Sequence, residues 1–339
     1  MKTLALAAAI AGGLAVVAHA QTSEEFFRDK QLRMVVGYGP GTGNDIYMRH
    51  LMKHIAGHLP GKPTIIPVNM PGAASLTMTN YLYNVALKDG TVVGMPSRNL
   101  LTEPLLGNAQ AKFDALKFAY LGSVSRETAL CFTWHTSGIS SIEDAKMEEV
   151  LVGSTGPTSG SSIFPRALNN LLGTKFKPVI GYPDSAAIGL AMERGEVKGY
   201  CSFPLAAIRT ARPQWLEEKR INILLQLATR ADPDLPNVPL IMDRAKDDEQ
   251  RQMMTLLFAD QEMGRPLVGP PGMPNERVAD WRAAFDATIV DKAFLAEAEK
   301  LKLTIDGPIS GAEVERIVQR LYATPPAVAK AVSRLRQGS

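Results

Sequence analysis

A recurring unit constrains this sequence more than any other feature: an apolar run, a loop rich in glycine and small hydroxyl residues, then a helical stretch. Leu32-Arg33-Met34-Val35-Val36 enters Gly37-Tyr38-Gly39-Pro40-Gly41-Thr42-Gly43-Asn44-Asp45, and a helical pattern follows over 46–58. The unit returns at 62–68, 69–75 and 76–86, again at 150–153, 154–162 and 163–172, and again at 177–181, 182–185 and 186–194. Strands joined through helices run parallel, so the pattern predicts an α/β fold with mostly parallel sheets flanked by helices. Further strand patterns occupy 91–95, 118–124, 128–134, 199–203 and 221–228. The last third differs. A proline-rich loop at 232–239 precedes helical patterns near 243–258 and 275–290, with Leu267-Val268-Gly269-Pro270-Pro271-Gly272 as the connection between them, and a mostly helical end from 292.

The N-terminus reads as a secretion signal over residues 1–20: basic Met1-Lys2, an apolar run over 3–18, and the small-x-small Ala18-His19-Ala20. The run is shorter than the roughly 20 residues of a spanning helix and lacks a charged stop-transfer flank. A lipoprotein signal needs a cysteine at the cleavage point, and the first cysteine is Cys131. No later stretch is long and apolar enough to span, so a soluble protein of the periplasm or exterior is expected. Such a compartment holds no ATP or NAD pool, which argues against kinases and dehydrogenases. The formal charge of +3, from 37 basic and 34 acidic residues, is spread out and gives no sign of nucleic-acid binding. Cys131 and Cys201 lie in strand-like runs: a disulfide if those strands adjoin, two buried thiols otherwise.

The loops match no nucleotide or nucleophile motif. A dinucleotide fingerprint needs glycines at offsets 0, 2 and 5, and from Gly37, Gly39 or Gly41 the last position is Thr42, Asn44 or Ile46. The loop at 153–162 lacks Gly-Lys-Ser/Thr, and Ser159 is followed directly by Gly160, which breaks a Gly-x-Ser-x-Gly elbow. What the loops share is a strand end feeding a helix start, where unpaired N–H groups and a partial positive charge favour anions. His50, His54 and His58 recur at helical spacing opposite Met48, Leu51, Met52, Ile55 and Leu59, and no nearby carboxylate or cysteine completes a metal set. That stripe is expected on the solvent face, with no metal and no cofactor.

The order of motifs resembles the Bug, or TctC-like, solute receptors of tripartite tricarboxylate transporters. The glycine-rich turn ending in Asp is Gly37 to Asp45. The V-x-N-x-P-G-A stretch is matched by Val68-Asn69-Met70-Pro71-Gly72-Ala73, one residue out of step at its start. D-G-T is Asp89-Gly90-Thr91, S-x-G-x-G-S corresponds to Ser154-Thr155-Gly156-Pro157-Thr158-Ser159-Gly160-Ser161, and L-P-x-V-P is Leu235-Pro236-Asn237-Val238-Pro239. The sequence departs from the pattern at Gly41-Thr42-Gly43-Asn44, where a glycine pair is usual, at Asp184-Ser185, and at Ser202-Phe203-Pro204, where an acidic residue is frequent. The ligands of other members are therefore not carried over.

The resemblance implies a two-lobed periplasmic binding protein (type II-like), monomeric and without catalytic residues. Lobe 1 comprises residues 21–121 plus 229–339, lobe 2 residues 122–228, with a hinge between them. It also implies a small carboxylate held between the lobes by backbone N–H groups, hydroxyls and water, and transient contact with membrane transporter subunits. On this reading Thr42, Gly43, Ser75, Ser154, Thr155, Ser159 and Ser161 are donors, supported by Gly41, Asn44, Ala73, Ala74, Ser97, Asn99, Thr158, Ser185 and Ser202. Tyr38, Tyr182 and Phe203 shape apolar walls, and Asp45 caps the first helix. Arg98 either pairs with a second carboxylate or is solvated. The competing classes are a sensor that presents its closed form to a membrane histidine kinase and a hydrolase on the same scaffold. The hydrolase needs a nucleophile and base that the sequence does not pair.

Overall fold

Apolar segments too short to bury a helical face become strands here, and glycine directly follows some of them, as Gly37 and Gly181 do. The computed structural model describes residues 22–157 and 159–337; the expected signal segment and Thr158 lie outside them. Among the described residues eleven strands form: β1 Gln31–Val36, β2 Thr64–Asn69, β3 Val92–Met95, β4 Ala119–Ser123, β5 Ala129–Trp134, β6 Val150–Ser154, β7 Phe176–Ile180, β8 Gly199–Pro204, β9 Ile221–Leu227, β10 Pro266–Gly269 and β11 Ile309–Ser310.

They make two sheets. The first has six strands in the order β11-β4-β10-β3-β1-β2, and the second has five in the order β7-β6-β8-β5-β9. β1 pairs in parallel with β2 and β3, and β6 with β7 and β8, as strand–helix–strand connections require. The strands next to the crossings run antiparallel: β10 against β3 and β4, and β5 against β8 and β9. Each sheet is therefore mixed, with helices on its faces. β10 falls where the sequence pattern suggested only a connection. Its four residues, Pro266–Gly269, are all buried, too short a run between Gly264 and Pro270 to show a period.

The chain passes from the first sheet to the second between β4 and β5, and returns between β9 and β10. The two crossings are joined by backbone bonds, Glu127 N to Gln261 O at 2.8 Å and Gly264 N to Ser125 O at 2.9 Å. The 16-residue helix Gly43–His58 covers one face of the first sheet, with Met48, Leu51 and Ile55 against Met34, Val36 and Phe285. The helix Gly160–Leu172 lies on the second sheet. Helices Asp248–Phe258 and Pro326–Gln337 pack on it, with Phe164 and Phe258 ring centroids 5.0 Å apart. The C-terminal helix thereby bridges to the second sheet.

Cys131 and Cys201 face each other in the β5–β8 pairing and form a disulfide, both fully buried. Among the described residues no helix is long and apolar enough to cross a membrane.

Two of the three histidines of the stripe are not on the solvent face, although His58 is exposed. His50 is buried and His54 is mostly covered, because the helix Lys292–Lys300 packs over them with Phe294 and Glu297. The covering residues lie some 240 positions away in sequence, so helical periodicity could not reveal them.

Candidate functional site

The loop after β1 is built around one carboxylate. Asp45 is buried, and its Oδ2 accepts from Gly41 N at 2.8 Å and Arg49 Nε at 2.9 Å, its Oδ1 from Asn69 Nδ2 at 2.7 Å. Burial alone would raise its pKa, but the hydrogen bonds from Arg49, Asn69 and Gly41 outweigh it and leave the carboxyl below its ordinary value. Asp45 is thus spent on shaping the turn and is turned away from any ligand. The helix cap is Thr42, not Asp45: the Thr42 hydroxyl accepts from Asp45 N at 3.4 Å. Gly43 and Asn44, whose N–H groups precede the helix's own bonding ladder, line a cleft.

The neighbouring loop positions the site without lining it. Ala73, Ala74 and Ser75 all have positive φ, at 45°, 53° and 79°, a conformation that costs non-glycine residues energy and persists only when packing over-determines it. Ser75 is buried where any side chain on Gly37 would collide with it, and its Oγ accepts from Ser97 N at 3.2 Å. The ends of β1 and β3 are locked together in this way, which sets Ser97, Arg98 and Asn99 at the cleft wall.

On the second sheet the hydroxyls satisfy one another. Ser154 Oγ lies 2.6 Å from Ser162 Oγ and 3.1 Å from Ser161 Oγ, and Ser159 Oγ lies 2.7 Å from Ser161 Oγ. Thr155 N donates to Ser161 Oγ. Among the described residues of this loop, Gly160 is the one that reaches the cleft, beside Ser202. Ser202 has φ 125°, a strained value at a cleft wall. Gly160 leaves it room, since a Cβ there would sit 2.5 Å from Ser202 Oγ.

The cleft has a volume of about 770 Å³, within the usual range for small-molecule sites. It is walled by loops of both sheets. Of the residues expected from sequence, Tyr38, Thr42, Gly43, Asn44, Ser97, Arg98, Asn99 and Ser202 line it together. Gly41, Asp45, Ala73, Ala74, Ser75, Ser154, Thr155, Ser159, Ser161, Tyr182 and Ser185 lie outside that lining, as does Phe203, which is buried among Phe132, Tyr200 and Trp215. Thr158 lies outside the described residues.

The cleft also collects charged residues that sequence reasoning missed. The crossing between β4 and β5 contributes Ser125, Arg126 and Glu127, and the returning crossing contributes Asp260, Gln261 and Arg265. A polar triplet between two mostly apolar strands, Ser125-Arg126-Glu127, was the available signal. Arg98 is neither solvated nor free. It pairs with Glu127 and lies 3.4 Å from Asp260. Arg265 donates to the other oxygen of Glu127 at 2.5 Å and stacks over Tyr47, 4.6 Å from the ring centroid. Burial draws both guanidinium groups below their ordinary pKa. Arg126 differs from both. Among the described residues it has no carboxylate partner, and its Nε is buried without a hydrogen-bond partner. Lys302 and Arg336 add to the lining, so cations outnumber the carboxylates Glu127 and Asp260.

No protein-family model and no curated protein matches the sequence. Solved structures do match. A TctC solute-binding protein from Polaromonas superposes with a TM-score of 0.70 at 19% identity, over 89% of this chain and 97% of that one. The fold is that of the TctC solute-binding proteins. Rpa4515 from R. palustris, solved with adipate, matches with a TM-score of 0.60 at 18% identity over 89% of this chain and 97% of its own. MatC from Rhodopseudomonas palustris, solved with bound malate, matches with a TM-score of 0.60 at 17% identity over 89% and 99%.

Proposed function

We propose that the protein is an exported receptor that captures a small organic acid in the cleft and delivers it to a membrane transporter of the tripartite tricarboxylate type. The observation that carries this reading is the cleft itself. Loops of both sheets wall it, it begins at a 16-residue helix N-terminus, and Arg126 stands in it with no carboxylate partner among the described residues. The adipate and malate of the two Rhodopseudomonas proteins support an acid as the ligand class.

In this reading the lobes are residues 21–121 plus 229–339 and residues 122–228. The acid meets the N–H groups of Gly43 and Asn44 on one side, Gly160 and Ser202 on the other, and the Arg126 guanidinium at the crossing between them. A ligand that bonds to both lobes has higher affinity for the closed arrangement, and closure about the two bonded crossings follows from that difference.

A thermal-shift screen of the purified protein against di- and tricarboxylates, aromatic acids, amino acids and neutral sugars tests the proposal. One acid class is expected to raise the melting temperature. A shift with sugars alone, or with no compound, contradicts it.

A further inference from the structure

Away from the cleft, two helices bring a second set of donors together. His50 and His54 lie one turn apart on Gly43–His58, and Lys292–Lys300 packs across them. The fully buried Phe294 ring stacks on His50 with centroids 4.4 Å apart and meets His54 edge-on at 5.6 Å, so both imidazoles are held in place. One turn beyond Phe294, Glu297 places Oε2 2.7 Å from His54 Nε2. One ligand atom from each of His50, His54 and Glu297 lies within 4.8 Å of the others.

His50 has the arrangement of a metal-binding imidazole. Its Nε2 lies 3.1 Å from the Phe294 carbonyl oxygen, and only an N–H can bond there. The lone pair therefore sits on Nδ1, which is buried without a hydrogen-bond partner. Imidazoles that bind metal characteristically donate their other N–H to a carbonyl or carboxylate, which fixes the tautomer. A buried polar atom without a partner in a native fold calls for an explanation, and a bound ion is one.

We propose that His50, His54 and Glu297 bind a divalent transition-metal cation of the Zn²⁺ type, with water completing the coordination. Two imidazoles and one carboxylate suit such an ion, whereas Mg²⁺ and Ca²⁺ favour all-oxygen sites. Lys53 bonds to Oε1 of Glu297 at 2.7 Å and is largely exposed. It retains that oxygen while Oε2 ligates, or swings into solvent. The ion would clamp the helix that begins at the cleft to a helix some 240 residues away.

The test uses untagged, chelator-treated protein titrated with ZnCl₂. Wild type is expected to bind one Zn²⁺ and to melt higher with it, while MgCl₂ has no effect. His54→Ala and Glu297→Gln are expected to lose more than roughly tenfold in Zn²⁺ affinity, since loss of even an outer-shell partner costs 10–100-fold. His58→Ala, on the same stripe but outside the cluster, retains binding. Equal Zn²⁺ responses in all four proteins, or none in wild type, overturn the proposal. Should either variant fail to fold, Co²⁺ titration of wild type decides: visible bands from a nitrogen-ligated site support it, and the spectrum of aqueous Co²⁺ overturns it.

Discussion

Arg98 and Glu127 form an ion pair at the floor of the cleft, tying the end of β3 to the crossing between the two sheets. Glu127 holds Arg265 from the returning crossing as well. One carboxylate therefore pairs with two guanidinium groups at the crossings, where the proposed hinge would bend, while Arg126 beside it has no ionic partner among the described residues.

Removing that carboxylate strands Arg265 and leaves Arg98 only its longer pairing with Asp260, both cations being mostly buried. Glu127→Gln keeps the shape and loses the charge, and is expected to destabilise the protein by about 3 kcal/mol, the lower end for breaking a buried pair because both arginines keep some water contact. Urea unfolding at neutral pH measures it. A change within 0.5 kcal/mol, the scatter of ordinary surface substitutions, contradicts the assignment.

Arg126→Gln should leave the unliganded protein's melting temperature unchanged, because Arg126 has no ionic partner to lose among the described residues. A hydrogen bond to a charged group contributes about 1.5–3 kcal/mol. Affinity for the captured acid should therefore fall roughly 10–100-fold, read by calorimetric titration. Unchanged affinity removes Arg126 from the site.

Asp45 gives the protein part of its acid sensitivity. Its folded pKa is depressed, so its contribution is present above the ordinary aspartate value near 4 and is lost as pH falls through the lower folded value. Asp45→Asn should cost about 1–3 kcal/mol at pH 7 and show a smaller further loss between about pH 5 and pH 3 than wild type. Parallel pH profiles for the two proteins contradict this.

The Cys131–Cys201 bridge closes a 70-residue separation across β5 and β8. Chain-entropy arguments put its contribution at about 4 kcal/mol. The Cys131→Ala, Cys201→Ala double variant should lose stability of that order. Because both sulfurs are buried, reductant should act on the native protein only as fast as it opens.

The sequence disclosed what is local. β1 and the loop to Asp45 were readable because an apolar run ends abruptly in glycines and a cap. Partnerships between distant segments were not. The hydroxyl-rich loop at 154–162 looked like a set of free donors, yet its serines bond to one another, a matter of rotamers rather than composition. Arg98 looked like a lone cation because Glu127 and Asp260 reach it from the two crossings. His50 looked solvent-facing because its cover, Phe294 and Glu297, comes from the other end of the chain.

The most direct test is calorimetric titration of the wild-type protein with the acid class that emerges from the thermal screen, with the ligand recovered afterwards for NMR. The account predicts saturable one-to-one binding, weakened in Arg126→Gln, and a ligand recovered unchanged. No saturable binding of any organic acid, or recovery of a chemically altered one, would contradict it.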